Sequence, residues 1–226
     1  MEKELRFERK WIYYCSNNLN LINKLIRSNF FFRSSFLKRN VNSVYFDDDN
    51  LTSIRENLYG TKNKKKIRIR WYGNNNIISN PKLEIKKKIG FITEKKIYDF
   101  SIKTNLVFPN LDSLVELKKE VKKKNVSTRE LFPISSTHYE RDYLISNDNL
   151  VRATIDTKIK SVKLKNLSKI SFFKNFDNLT ILELKYPVYL DEYVRKKLTN
   201  ISLRLSKNSK FINSILDKPI GIHAIK

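Results

Sequence analysis

The 226-residue chain contains one cysteine, Cys15, and two histidines, His138 and His223. A single cysteine excludes an intramolecular disulfide, so a reducing compartment is the natural setting. All three residues stand isolated in the sequence. We therefore interpret them as structural or surface groups rather than as catalytic ones.

Long apolar runs are also missing, since no stretch approaches the length of a bilayer-spanning helix. The segment Met1–Lys10 is charged throughout, which excludes a secretory signal. With 40% hydrophobic residues the chain can bury a real core. It has no internal repeat and no convincing linker. We predict a single domain over residues 1–226, cytoplasmic and still able to dock on a membrane or a membrane subunit.

Acidic residues are scarce relative to basic ones. The chain has 23 Asp and Glu against 46 Lys and Arg, a formal charge of +23. This imbalance predicts an anionic partner: nucleic acid, a membrane surface or phosphate-rich small molecules. The codons of an AT-rich genome would also raise the lysine content without a functional reason. No recognised DNA- or RNA-binding motif is present, so nucleic acid is the least supported of the three partners.

Charged and apolar residues alternate in several segments, a pattern typical of half-buried strands. The clearest case is residues 67–88, where isoleucine and tryptophan alternate with arginine and then leucine and isoleucine alternate with lysine and glutamate. These residues predict two strands joined by a polar turn. The same pattern predicts strands at 5–13, 41–47, 91–102, 136–145, 150–157 and 179–186. Asn147-Asp148-Asn149 is typical of a hairpin turn.

Helical spacing predicts helices at about 16–27, 51–57, 111–124, 191–205 and 207–216. The aromatic segment Phe30–Phe36 is interpreted as a loop or short docking segment. The acidic cluster Asp47-Asp48-Asp49-Asn50 has two readings, a cation site or the capped N-terminus of the helix at 51–57. Acidic groups near the positive end of a helix favour the cap.

Polar side chains spaced two apart on one strand must emerge from the same side of the sheet. Such sets occur on most predicted strands: Arg6, Glu8 and Lys10; Arg68 and Arg70; Glu84 and Lys86; Tyr139 and Arg141; Arg152, Thr154 and Asp156; Glu183 and Lys185. One interpretation is an antiparallel sheet with a solvated face. The other is a barrel that encloses this face. Arginine suits phosphate oxygens, and the interspersed carboxylates suit a divalent cation.

Seven segments carry a family resemblance: Glu8–Lys10, Ser43–Asp47, Lys66–Gly73, Glu84–Lys86, Val151–Asp156, Leu182–Lys185 and Ser209–Phe211. In this order they resemble the VTC domain, the polyphosphate polymerase module of the triphosphate tunnel metalloenzyme (CYTH-like) superfamily. The resemblance spans nearly the whole chain. It implies an α+β fold with an antiparallel β tunnel barrel, a polar basic lumen and flanking amphipathic helices.

The resemblance also implies a reaction, in which the γ-phosphoryl group of ATP passes to a growing polyphosphate chain with Mn²⁺ or Mg²⁺. Positioning and charge neutralisation would supply most of the catalysis. By motif, the catalytic residues are Lys10, Arg68, Arg70, Lys86 and Arg152. The same five would bind phosphate together with Tyr139, Arg141, Lys185, Ser209 and Lys210. Glu183 would hold the metal, with Glu8, Glu84 and Asp156 as additional ligands or ion-pair partners.

Two alternatives stay open at the level of the sequence. A related tunnel enzyme would hydrolyse tripolyphosphate or a nucleoside triphosphate, and a non-catalytic module would only bind polyphosphate or nucleic acid. Compared with the family pattern, we expect no SPX-like region before Glu8 and no membrane segment after Lys226. We therefore expect that coupling synthesis to translocation requires a membrane-protein subunit.

Overall fold

The structure is a computed structural model, and it describes residues 6–14, 18–90, 92–100, 106–164, 174–176, 178–199, 205–206 and 208–216. Several sequence predictions fall outside these residues. They are Cys15, His223, the helix start at Ser16 and the segment 200–204 of the predicted helix at 191–205.

The described residues form eleven strands and five α-helices. The strands are β1 Arg6–Tyr14, β2 Arg33–Asp47, β3 Asn63–Tyr72, β4 Ile77–Ile78, β5 Lys82–Ile89, β6 Ile92–Asp99, β7 Leu106–Val107, β8 Phe132–Ile145, β9 Arg152–Lys163, β10 Lys174–Phe176 and β11 Leu179–Pro187. The helices are α1 Asn18–Ile26, α2 Thr52–Leu58, α3 Leu111–Lys123, α4 Asp191–Leu198 and α5 Lys210–Asn213.

Nine strands form one antiparallel sheet in the order β1-β11-β9-β8-β2-β3-β5-β6, with β10 added to β9. The pair β4–β7 is separate. The large sheet curls into a half-barrel until side chains from distant strands meet. Lys86 Nζ on β5 donates to both carboxylate oxygens of Glu8 on β1, at 3.1 and 3.2 Å. The predicted α+β tunnel fold is confirmed.

The outer face of the curled sheet is apolar, and the amphipathic helices cover it. Ile67, Ile69 and Trp71 of β3 pack in one cluster with Leu114 and Leu117 of α3. A second cluster joins the outer faces of β1, β9 and β11 to α1 and α4. Because the apolar partners of the alternating strands face outward, their charged partners face into the curl.

Helices α2 and α5 cover one end of the inner face. Tyr45 of β2 packs with Ile54 of α2 and with Phe211 and Ile212 of α5. The rings of Tyr45 and Phe211 lie 4.9 Å apart. This contact brings the segment before α5 to the interior of the curl.

Several sequence-predicted boundaries are wrong. Phe30–Phe36 is not simply a loop, because β2 begins at Arg33 and pairs with β8 through bulges. The strand predicted at 150–157 continues to Lys163, although Lys158 has a positive φ of 49°. Helix α4 ends at Leu198, and α5 has only four residues. For the two strands, pairing with β8 and β10 overrides the local pattern.

The acidic cluster before α2 caps the helix, as predicted, although the capping residue differs. Leu51 holds the N-cap position without a side-chain hydrogen bond. The buried Asp47 carboxylate instead accepts from the backbone N–H groups of Asp48, Ser53 and Ile54 at 2.9–3.0 Å. Asp48 accepts from Thr52 N–H at 2.9 Å. These carboxylates thus bind helix N–H groups, which is the cap reading.

We expect Asp47→Ala to lower the free energy of unfolding by about 2–3 kcal/mol, because the substitution removes the charged acceptor and leaves buried N–H groups without a hydrogen-bond partner. Denaturant unfolding measures this loss. Asp49→Ala is the matched control, since Asp49 is exposed, and it should stay within about 0.5 kcal/mol of the wild type. Equal effects of the two substitutions would contradict the capping role.

Candidate active site: a basic lumen

On the wall formed by β3 and β5, two arginines that are predicted to bind phosphate contact the same carboxylate, Glu84. Arg68 donates from Nε and Nη2 to Glu84 Oε2 at 2.8 and 2.5 Å. Arg70 Nη1 lies 3.8 Å from the same oxygen, and Lys95 Nζ donates to Glu84 Oε1 at 2.8 Å. Burial alone would raise the pKa of Glu84, but Arg68, Arg70 and Lys95 lower it to about 2.

Arg70 is held from three sides and is only 8% exposed. Besides Glu84, it lies within hydrogen-bond reach of Ser43 Oγ at 3.5 Å and donates to the Tyr139 hydroxyl at 3.3 Å. A guanidinium fixed in this way has little side-chain freedom left to lose when it binds an anion.

The wall formed by β8 and β9 holds a second buried carboxylate. Asp156 is fully buried and accepts from Arg141 Nε and Nη2 at 2.6 and 2.8 Å. Lys210 of α5 also donates to Asp156 and lies 4.6 Å from the centre of the Tyr139 ring. Burial raises the pKa of Asp156, but Arg141 and Lys210 outweigh it and bring the value to about 2. Of its two predicted roles, Asp156 fits the ion pair.

The third carboxylate, Glu183, lies on β11, opposite Lys10 of β1 and Thr154 of β9. Lys185 Nζ is 3.0 Å from Glu183 Oε1, and Lys10 Nζ is 3.6 Å from Oε2. Burial would raise the pKa of Glu183, but Lys10, Lys185 and Arg141 hold it well below its usual range. Glu8 completes this group through Lys86 and through Lys185 at 3.6 Å.

Lys66 is a lumen residue that the predicted site omits. It lies two residues before Arg68 on β3, and its Nζ donates to Ser209 Oγ at 3.0 Å. Burial, together with the charges of Lys10, Lys86 and Arg68, lowers the pKa of Lys66 to about 7. The signal in the sequence was the alternation itself, because Lys66 continues the Arg70–Arg68 row by one more step.

The structure brings nearly all predicted site residues into one connected group. Ser209 and Lys210 join it through Lys66 and Asp156. Arg152 differs, because its side chain is exposed and no carboxylate of the described residues pairs with it. Lys95 is a further addition that the predicted site lacked.

The lumen fits a divalent cation only when a phosphate ligand shares it. Among the described residues no group of three or more His, Cys, Asp or Glu side chains could hold a metal ion by itself. Mg²⁺-type ions, however, are usually held by one or two carboxylates together with substrate phosphates. Glu183 Oε2 has only the 3.6 Å contact to Lys10. The adjacent Thr154 hydroxyl is buried without a hydrogen-bond partner in the described chain.

A family model supplies the decisive comparison. The VTC domain model matches residues 6–217. The chain belongs to the VTC domain family. A search of curated proteins found no match. Family membership and the curled basic sheet together give the triphosphate tunnel fold, whose members handle phosphoryl groups with divalent metals.

Solved structures resemble this VTC domain in fold. A Bacillus halodurans protein described as a candidate adenylate cyclase has a TM-score of 0.55 at 14% identity, covering 92% of this chain and 96% of its own. A Vibrio parahaemolyticus protein with the same description has values of 0.52 and 13%, covering 92% and 98%. A Hippeastrum protein, described as a candidate adenylyl cyclase with dominant triphosphatase activity, has values of 0.51 and 12%, covering 92% and 95%. At these identities the likeness concerns the fold alone.

None of the helices in the described ranges is both long enough and apolar enough to cross a membrane.

His138, interpreted above as structural, is buried on the outer side of the sheet. Its Nδ1 lies 2.7 Å from Asn42 Oδ1, and burial lowers its pKa to about 4.

We expect tripolyphosphate binding at pH 8 to take up a proton at Lys66. With its pKa lowered to about 7 by burial and by neighbouring cations, Lys66 is mostly neutral at pH 8, and an adjacent polyanion favours the charged form. Below about pH 6 the lysine is already charged, so the uptake should vanish. Calorimetry in buffers of different ionisation enthalpy measures the proton count.

Lys66→Met should abolish the proton uptake at Lys66 at pH 8 and weaken tripolyphosphate binding by about tenfold. Lys62→Met on the exposed turn should change neither the proton uptake nor the affinity. Since tripolyphosphate can itself exchange protons near this pH, the informative quantity is the difference in proton uptake between wild type and Lys66→Met. Equal proton uptake by both proteins would contradict the assignment.

Proposed function

We propose that this VTC domain is a polyphosphate polymerase that transfers the γ-phosphoryl group of ATP to inorganic polyphosphate with Mn²⁺ or Mg²⁺. The observation that carries the proposal is a set of three buried carboxylates that hold cations on the inner face of one curled sheet. Arg68 and Arg70 contact Glu84, Arg141 and Lys210 contact Asp156, and Lys10 and Lys185 contact Glu183. Its family membership gives the reaction class, and the residues give the groups that would perform it.

The row of basic side chains on β3 and β5 supports a chain-like anion. Lys66 lies opposite Lys86 and Lys64 opposite Lys88, so like charges face each other on neighbouring strands. Such pairs are destabilising by themselves. From Arg70 to Lys64 the row extends about 20 Å at the usual rise of a strand. An anion with repeated charges along this row would relieve the repulsion.

In the proposed reaction the terminal oxygen of the polyphosphate attacks the γ-phosphorus of ATP. The bond from that phosphorus to the β–γ bridging oxygen breaks, and its electron pair leaves with ADP. The arginines and lysines would align donor and acceptor and neutralise charge on the transferred group. No protein nucleophile is needed.

Glu183 is the residue proposed to hold the divalent ion, which when bound would neutralise further phosphate charge. Burial would raise the pKa of Glu8, but Lys185 and Lys86 lower it, while the nearby negative charge of Glu183 opposes this lowering. Glu84 and Asp156 would instead orient the arginines. ATP and polyphosphate are the proposed ligands, and a membrane-protein subunit remains a prediction from the family resemblance.

We expect purified protein incubated with ATP and Mn²⁺ or Mg²⁺ to form phosphate chains, with one ADP released for each phosphate added. Glu183→Gln should lower turnover by about 100-fold or more, because phosphate charge in the transition state loses its compensation, while tripolyphosphate still binds. Gel electrophoresis of the product and calorimetry measure the two quantities.

Glu192→Gln is the matched control, since Glu192 lies on the exposed face of α4 and pairs only with Lys196 in the described chain. It should leave turnover unchanged. Release of free phosphate alone would assign hydrolysis instead of polymerisation. Binding without any metal-dependent turnover would assign a non-catalytic module.

A further inference from the structure

The inner wall of the curled sheet carries aromatic side chains just beyond the phosphate-binding arginines. Tyr72 lies two residues past Arg70 on β3, and Tyr143 lies two residues past Arg141 on β8. Period-two alternation places each tyrosine on the same face as its arginine, about 7 Å further along the strand. Burial raises the pKa of the Tyr143 phenol, and the nearby charges of Arg141 and Arg70 oppose this rise.

Arg39 joins these tyrosines to a third ring. Its guanidinium carbon lies 5.3 Å from the centre of the Phe36 ring, 5.8 Å from Tyr72 and 5.9 Å from Tyr143. Phe36 meets Tyr143 edge to face at 5.7 Å. We call Phe36, Arg39, Tyr72 and Tyr143 the aromatic rim.

The aromatic rim includes Phe36 and Arg39 from a part of β2 that has only one neighbour among the described strands. The ladder between β2 and β3 ends at the pair Val41–Tyr72. Residues 33–40 pair only with β8 among the described strands, and bulges between Ser34 and Phe36 and between Phe36 and Arg39 turn their side chains. Phe36 is 58% exposed and Tyr72 is 43% exposed. Ring surface is therefore open to solvent beside the arginines.

Two kinds of binding group thus lie two residues apart along the strands. The fixed guanidinium groups suit phosphate, and the exposed rings with their stacked guanidinium suit a planar apolar group. Aromatic rings and arginine planes stack nucleobases. A free tripolyphosphate would use the first feature only. A nucleoside triphosphate has both parts, joined in the order that the wall presents them.

We propose that the aromatic rim is a nucleobase-stacking subsite for the nucleoside triphosphate donor, whose phosphates then point inward to Arg70 and Arg141. This inference rests on the proposed function, because it assumes that the lumen takes a nucleotide. It adds a direction: the base stays at the rim while the γ-phosphate lies deepest. Stacking is tolerant of base identity, so the subsite recognises the presence of a base.

The test compares ATP with tripolyphosphate, titrated into the same protein at fixed ionic strength in a calorimeter. Phe36→Ala should weaken ATP binding by about tenfold and leave tripolyphosphate binding unchanged, because only ATP has a base to stack. Tyr72→Leu should have the same selective effect. Leu37→Ala is the matched control, since Leu37 is 87% exposed and lies next to the rim without forming part of it.

An equal loss for both ligands in Phe36→Ala and Tyr72→Leu, or no loss for ATP in either, would overturn the subsite. Thermal unfolding of each variant identifies a general loss of structure, and Tyr72→Leu decides where Phe36→Ala is unstable. The comparison needs no turnover, so a chain that only hydrolyses or binds triphosphates still answers it. Failure of polymerisation and failure of the rim are therefore distinguishable.

Discussion

Charge compensation inside the curled sheet is the constraint on which the rest of the structure depends. The inward side chains of six strands bring cations together at distances where like charges repel strongly in a partly buried setting. Glu84, Asp156 and Glu183 each hold two or more of these cations. These carboxylates offset the repulsion between the cations and fix their positions, so the wall is preorganised for an anion.

The same compensation explains how the lumen would exchange partners. Arg141 and Lys210 both contact Asp156, whereas Lys10 approaches Glu183 at only 3.6 Å. Phosphate oxygens could replace Glu183 as the partner of Lys10, because Lys185 would still pair with the Glu183 carboxylate. We infer that the pairs around Asp156 position the wall, while those around Glu183 and Lys66 change when the ligand binds.

Much of this arrangement could be predicted from the sequence, because alternation fixes the face of each strand. Arg68 and Glu84 were assigned to one face, and they pair directly across β3 and β5. The contact between Glu8 and Lys86 could not be predicted from alternation, since it depends on the curl of the whole sheet. Residues 33–40 were missed because their strand is defined by β8, a hundred residues away, and by bulges that break the pattern.

The central claim is that the curled sheet binds phosphate chains on its inner face. A crystal structure with a non-hydrolysable ATP analogue and Mn²⁺ tests it most directly. The account predicts phosphates against Arg68, Arg70, Arg141 and Lys66, with manganese anomalous scattering beside Glu183. Phosphates found only on the outer surface, for example at the basic turn around Lys62, with the inner ion pairs unchanged, would contradict it.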